Sequence, residues 1–459
     1  MKDIEDEIPF EVPEGWAWCR LPSVCKIPIT DGTHQTPTYS DKENGIPFLS
    51  SKDVTSQKID WSKIKYITKD LHEELQKRVN PQRNDILLAK NGTTGVAALV
   101  ETDDIFDIYV TLALLRPCKQ LNPRFLLHMV NSPFCKDQFN GHLTGIGVPN
   151  LHLNDICKTL IPVPPYSEQT QIVNEIEKIT ILIDSVEKDK SDLQTAIKQA
   201  KSKILDLAIH GKLVPQDSSD EPAYVLLERL RAEKEAKIKA GELKRNKNDS
   251  YIYKSTTDNC HCEKFNGKEP VCIDEEIPFD IPKEWTWCRL SELAELKGGK
   301  RIPAGMSATK DKTDHIYIRV SDMKNDTITT DDLHYISDTI FEQIKQYIIG
   351  KDDLYLTIAG TIGRVGEVPE LFDKMNLTEN ALKITNININ KKYLLIVLKS
   401  PYVQDYFAST YHQVAMPKLS LTNASKTIIP LPPISEQKRI VSKSEEMFER
   451  LDQIQNNLI

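Results

Sequence analysis

The side chains best equipped for directed hydrogen bonding sit in short loops bounded by glycine or proline. Thr33, His34, Gln35 and Thr36 lie between Gly32 and Pro37, and Lys297, Lys300 and Arg301 surround Gly298 and Gly299. Lys90, Asn91 and Thr93 flank Gly92, while Thr361 and Arg364 flank the second member of a pair of Gly-Thr-x-Gly turns. Arg, Gln and Asn can make paired hydrogen bonds to a planar edge, whereas Lys and Thr more often hold an anionic oxygen. Glycine lets a backbone approach its ligand closely. For each loop an ordinary surface turn is an equal alternative. No catalytic set accompanies them: the chain has no Gly-x-x-x-x-Gly-Lys-Ser/Thr phosphate loop, no Gly-x-Ser-x-Gly elbow and no His-Glu-x-x-His. Val163-Pro164-Pro165-Tyr166 superficially matches the box of amino-methyltransferases, but valine stands where a side chain must hold the exocyclic amine. Its counterpart Leu431-Pro432-Pro433-Ile434 lacks an aromatic to stack on a flipped base, so both read as prolyl turns. Cys260-His261-Cys262 with Cys272 lacks a fourth ligand at zinc-site spacing, and no metal site is expected there.

Composition narrows the class. The 459 residues suffice for two to four domains, and 27% charged with 39% hydrophobic residues fits an ordinary globular protein. No apolar run approaches a membrane span, and the acidic N-terminus does not resemble a signal peptide, so a cytoplasmic location is expected. The nine cysteines are odd in number and mostly isolated, with Cys19 and Cys288 expected as small core residues. A net charge of −8 argues mildly against nucleic-acid binding, although net charge averages over faces.

The elements that must position these loops occur twice. Ile8-Pro9-Phe10-Glu11-Val12-Pro13-Glu14-Gly15-Trp16-Ala17-Trp18-Cys19-Arg20-Leu21 returns 269 residues later as Ile277-Pro278-Phe279-Asp280-Ile281-Pro282-Lys283-Glu284-Trp285-Thr286-Trp287-Cys288-Arg289-Leu290. Gly92-Thr93-Thr94-Gly95 and Ile161-Pro162-Val163-Pro164-Pro165-Tyr166-Ser167-Glu168-Gln169 return 268 residues later. This is duplication of a whole unit whose edges match and whose interior has drifted. The lead-in prolines predict extended chain. Short β-branched and aromatic runs, then helices near 123–129 and 393–398, make each body α+β.

A helical pattern follows each Pro-Pro, with Ser167 and Ser435 as expected N-caps. Apolar residues at Ile172, Ile176, Ile179, Ile183, Val186, Leu193, Ile197, Ala200, Ile204 and Leu207 keep a heptad seam with one break at Lys190. A helix over 172–209 would be about 57 Å long, with Gly211 as its stop. Ile440, Met447, Leu451, Ile454 and Leu458 repeat the register. Each seam needs a partner, and the economical one is the other copy, packed antiparallel. An unrelated dimerisation coiled coil is the alternative. A further helix is expected from Glu221 to Arg231, running into Lys234, Lys237, Lys239, Lys244, Arg245 and Lys247, either a solvated face or a phosphate-contacting segment.

The ordered combination of lead-ins, Gly-Thr-x-Gly turns and Pro-Pro-x-Ser-Glu-Gln exits resembles the specificity (S) subunits of type I restriction enzymes. Gly211-Lys212-Leu213-Val214-Pro215-Gln216-Asp217 with Glu221-Pro222-Ala223 resembles that family's central conserved region, and Asp31-Gly32-Thr33-His34-Gln35-Thr36-Pro37 resembles part of its first reader. The resemblance spans essentially the whole chain. It implies an α+β fold with a pseudo-two-fold internal repeat: target recognition domains at 1–165 and 276–433, separated by long antiparallel coiled-coil-like conserved helices at 166–275 and 434–459. It implies a non-catalytic subunit reading a bipartite, asymmetric double-stranded DNA site through the loop residues named above. The seam residues would serve as spacer and docking surface for two modification subunits that bind S-adenosylmethionine and methylate adenine at N6. Restriction subunits using ATP and Mg would join them, and no cofactor belongs to this chain itself. The rivals are an enzyme fused to a reader and a coiled-coil adaptor, or an incomplete, silent reader, without DNA specificity. One departure stands out: residues 211–275 have no counterpart after Leu458.

Overall fold

A computed structural model describes residues 5–458 except 55–57, 142–149, 243–248, 256, 258, 266 and 411–416. Lys244, Arg245 and Lys247 of the basic run therefore lie outside the described residues. The chain forms two compact units, Met1–Lys188 and Asp189–Ile459.

In the first unit the lead-in carries no regular strand and is not extended throughout: it turns at Pro13–Trp16, where Trp16 N–H donates to the Pro13 carbonyl at 3.1 Å and Gly15 has φ +92°, and then enters β1 (Ala17–Arg20). Then follow β2 (Thr30–Asp31), β3 (Tyr39–Ser40), β4 (Ile46–Leu49), β5 (Lys65–Ile67), α1 (Lys69–Leu75), β6 (Ile86–Ala89), β7 (Ala97–Leu99), β8 (Asp107–Ile108) and β9 (Leu112–Leu115). Helices α2 (Pro123–Asn131), α3 (Pro133–Asn140) and α4 (Leu153–Ile156) precede β10 (Leu160–Val163) and the 44-residue α5 (Tyr166–Ile209). One sheet has the order β2-β9-β6-β7 and another β3-β5-β4-β8. Leu87, Ala89, Leu112 and Leu114 face one apolar cluster, and Ile86, Leu88, Ala113 and Leu115 face the other, the two-sided burial expected of central strands. β1 pairs antiparallel with β10, so the lead-in and the exit of the body close on each other.

The second unit contains the C-terminal part of α5, then α6 (Ala223–Lys239) and a small sheet of β11 (Ser250–Lys254), β12 (His261–Phe265) and β13 (Val271–Cys272). The second body runs through β14 (Thr286–Arg289), α7 (Leu290–Leu293), β15 (Glu295–Gly298), β16 (His315–Ile318), β17 (Met323–Lys324), β18 (Thr327–Ile328), β19 (Tyr335–Ile336), α8 (Asp338–Ile344), β20 (Ile348–Ile349), β21 (Leu354–Thr357), β22 (Val365–Glu367), β23 (Met375–Leu377) and β24 (Ala381–Thr385). Helices α9 (Lys391–Lys399), α10 (Pro401–Ser409) and α11 (Leu421–Ser425) lead to β25 (Ile428–Leu431) and α12 (Ile434–Asn456). The sheet β15-β24-β21-β22 repeats β2-β9-β6-β7, and β14 pairs with β25 as β1 does with β10. Parallel pairing of β16 with β23 repeats that of β4 with β8. Both bodies are α+β, as their strand and helix signals imply.

Both serine N-caps need correction. α5 and α12 begin two residues earlier than such caps would place them, at Tyr166 and Ile434, and Pro433 caps the second without a side-chain bond. The glutamine two residues further on does the bridging instead. Gln169 Nε2 donates to the Pro164 carbonyl at 2.9 Å, and its Oε1 accepts from the Asn122 backbone N–H at 2.8 Å. Gln437 repeats both bonds with Pro432 (2.9 Å) and Asn390 (3.0 Å). Asn122 and Asn390 are themselves the side-chain N-caps of α2 and α9, so each long helix is stitched to the start of a helix in its own body.

Gly211 ends α5 as expected. Its φ is +66°, and Lys212 N–H reaches back to the Leu207 carbonyl at 2.9 Å. Within the second unit Lys201 pairs with Asp452 and Gln216 with Glu436, so rising numbers on one strand of the pairing meet falling numbers on α12. The C-terminal part of α5 and α12 are therefore antiparallel. Among the described residues no helix is long and apolar enough to cross a membrane.

Candidate nucleic-acid interface

In the first body β2 delivers the chain into the Gly32–Pro37 loop. Gly32 lies so close to the Ile108 carbonyl that a Cβ would collide with backbone. His34, Gln35 and Thr36 are exposed, while Thr33 is buried and its backbone N–H donates to Ile108 at 3.2 Å. Beside the loop, β6 and β7 form a hairpin whose turn has Gly92 at φ +75° and Gly95 at φ +82°. Thr93 is exposed and Asn91 half-buried at this tip. Lys90 points the other way: it is buried, and its Nζ sits 2.5 Å from Asp31 Oδ2. In this structure it is an internal counterion.

Asp31 gathers three basic side chains. Besides Lys90 it accepts from Arg78 Nη2 at 2.9 Å and lies 3.2 Å from His34 Nε2. Burial works against its charge, but Lys90 and His34 hold its carboxyl below the usual carboxylate range. Behind the loop, Asp107 contacts His72 Nδ1 at 2.6 Å, and burial pushes the Asp107 carboxyl above its usual range despite this partner. Gly32, Gln35, Arg78 and Asp107 line a cleft of about 270 Å³. Arg78, in the turn after α1, was not among the residues singled out from the sequence.

The second body builds the same frame with other side chains. Gly299 is pressed against the Thr378 carbonyl, as Gly32 is against Ile108. Lys297, Lys300 and Arg301 are exposed, and Arg301 Nε donates to Glu379 Oε1 at 2.7 Å. Burial disfavours the Glu379 carboxylate, yet Arg301 and Thr378 bring its carboxyl below the usual range. The β21–β22 turn has Gly360 at φ +77° and Gly363 at φ +88°, with Thr361 and Arg364 exposed. Arg364 lines an open cavity of about 540 Å³ with Lys324, Lys399 and Gln404. In each body the structure thus places the glycine-bounded loop and the glycine turn on the same four-stranded sheet, their strands separated by β9 in the first body and by β24 in the second.

The seam residues divide by burial. Ile172 is packed against the first body's core, and Ile176 is half-buried. Ile179, Ile183 and Val186 are each more than half exposed, and Leu193 and Ile454 somewhat less. Ile197, Ile204 and Ile440 are buried; Leu207, Met447, Leu451 and Leu458 are half-buried. α6 extends to Lys239, further than Arg231, with Lys237 and Lys239 exposed.

Of the cysteine cluster, Cys260 precedes β12, while Cys262 lies on β12 and Cys272 on β13. Cys260 and Cys272 are joined as a disulfide, and Asp274 approaches the pair. Isolated spacing in the sequence gave no sign of this link. Cys288 is buried as expected, whereas Cys19 is only partly buried, with burial raising its thiol to about 11.

Residues 13–195 and 282–459 each match the model of the type I restriction modification DNA specificity domain. The chain belongs to this family. It is 25% identical to the EcoEI specificity subunit of Escherichia coli over 99% of this chain and 81% of that one. It is likewise 25% identical to the Escherichia coli EcoAI specificity subunit, over 98% and 80%. Among solved structures, the HsdS subunit from Thermoanaerobacter tengcongensis matches with a TM-score of 0.52 at 17% identity, over 99% of this chain and 94% of that one. A chain from a study of assembly and conformational transition in the type I R-M system matches with a TM-score of 0.61 at 17% identity, covering 98% and 94%. The duplicated bodies and the long helix of this specificity subunit are the family's fold.

Proposed function

We propose that the protein recognises a bipartite, asymmetric double-stranded DNA site and catalyses nothing itself. The observation that carries this reading is the pair of bodies with one frame and unlike contact loops: Thr33-His34-Gln35-Thr36 in the first, Lys297 to Arg301 in the second. Two such bodies would read two different half-sites. The exposed part of the seam, from Ile179 to Leu193, is an apolar face suited to docking modification subunits. Two of these would bind S-adenosylmethionine and methylate adenine at N6, and restriction subunits would use ATP and Mg to translocate and cut unmodified DNA. The helical segments between the bodies act as spacer, and the complex works in the cytoplasm. Lys297, Lys300, Arg301, Thr361 and Arg364 contact one half-site; His34, Gln35, Thr36, Asn91 and Thr93 contact the other.

Single-molecule sequencing of adenine methylation, in cells with and without the gene, tests the reading. A split adenine motif that disappears on deletion is the expected result. Unchanged methylation despite a stable complex with the modification subunit would point to a silent form, and absence of any complex to an adaptor.

A further inference from the structure

Asp31 stands directly beneath the exposed loop of the first body and is 2% exposed. It collects Lys90, Arg78 and His34 on two oxygens. A buried ion pair is weak evidence for stability, because desolvation offsets the attraction. The second body shows that the frame does not need it. The bond from Gly32 N–H to Leu112 matches that from Gly299 to Ala381, and the bond from Leu151 to Lys90 matches that from Leu419 to Ile358. In this register Gly298 stands in place of Asp31 and Ile358 in place of Lys90. The ionic hub is a property of one body rather than of the fold.

The two cations among them differ in what they offer. Lys90 is consumed inside the body. Arg78 keeps 53% of its side chain exposed while one nitrogen rests on Asp31. It lines the cleft together with His34 and Gln35. A guanidinium anchored at one corner presents its other edge in a fixed plane, the geometry that pairs with guanine O6 and N7.

We propose that Arg78 is a specificity-determining residue of the first body, contacting a guanine edge, and that Asp31 is the positioning residue that orients it. This rests on the DNA-reading function proposed above. Lysine in place of Arg78 would keep the charge and lose the fork.

The test is the methylation motif, read by single-molecule sequencing, in cells carrying the modification subunit with wild-type protein, Arg78→Lys, Arg78→Ala or Asp31→Asn. The expected result is relaxation at one guanine in one half-site, by about tenfold or more in relative methylation, as loss of a bidentate contact implies. The other half-site and the gap stay unchanged, and Asp31→Asn relaxes the same position. Two outcomes overturn the proposal: an unaltered motif in both Arg78 variants, or a uniform fall in methylation without relaxation, the mark of a phosphate contact. Should Asp31→Asn fail to fold, Arg78→Lys, which leaves Asp31 its counterion Lys90, decides alone. If the wild-type protein yields no split motif, the DNA-reading function falls, and this inference with it.

Discussion

The indole of Trp285 donates to Glu436 Oε2 at 2.9 Å across 151 residues of chain, and Trp16 makes the same bond to Glu168 at 3.1 Å. The lead-in and the exit of each body, matched in sequence, are thus matched because they touch. Glu436 also accepts from Gln216, and burial raises its carboxyl above the usual range. Glu436→Ala strands a buried indole N–H and should lower unfolding free energy by about 1–3 kcal/mol. Glu436→Gln keeps one acceptor oxygen for the buried indole while giving up the one that Gln216 uses, and should cost less, about 1 kcal/mol. Denaturant titration of the two variants checks the difference.

Asp31 supplies a pH signature. Its carboxyl is depressed in the folded state, so its contribution is present above the ordinary carboxylate pKa of about 4 and is lost as pH falls through the lower folded value. Asp31→Asn leaves Lys90 buried without a countercharge and should cost about 3–5 kcal/mol near neutrality. The deficit relative to wild type should shrink on acidification below about pH 4, read by urea midpoints across that range.

Glycine at positions 32 and 299 is demanded by backbone contact. Alanine at either site collides with a carbonyl oxygen that cannot move independently. Gly32→Ala should impair recognition of one half-site and Gly299→Ala of the other, each leaving the opposite half of the methylation motif intact. Loss of both halves from either single change would contradict independent bodies.

Arg301 and Arg364 are exposed beside glycine in the second body. Arg301→Ala and Arg364→Ala should each weaken DNA binding by about tenfold, and each phosphate contact removed should lower the salt slope by about 0.9. Assembly with the modification subunits should persist, as gel filtration would show. Unchanged affinity in the purified complex would remove both from the interface.

Ile183 and Val186 are exposed in the middle of α5. Ile183→Asp with Val186→Asp should leave the melting temperature of the isolated chain within a degree or two, since little packing is lost. Co-purification with the modification subunit should fail. Retained assembly would place the docking surface elsewhere.

The duplicated frame was legible because both of its sequence edges form paired strands, and proline, tryptophan and glutamate leave recognisable spacing. The heptad seam located α5, but period alone cannot say which stretch of a seam is covered: Ile204 is buried and Val186 is not. Ser167 and Ser435 read as caps because serine before Glu-Gln fits an N-cap; the prolyl turns start both helices two residues sooner. Lys90 was grouped with the exposed tip because its neighbours Asn91 and Thr93 lie there. Its counterion is 59 residues upstream, and local sequence holds no record of that approach. Arg78 was missed for the same reason, since it follows a polar helix with no loop signal of its own.

The seat formed by Trp16, Glu168, Gln169 and Asn122, and again by Trp285, Glu436, Gln437 and Asn390, has a consequence for inheritance. Crossovers in the shared flanks would bring in a complete foreign body carrying its own N-cap asparagine, and the incoming cartridge would find its socket already cut. A lineage could therefore acquire a new half-site in one genetic event, without re-evolving the scaffold that holds it.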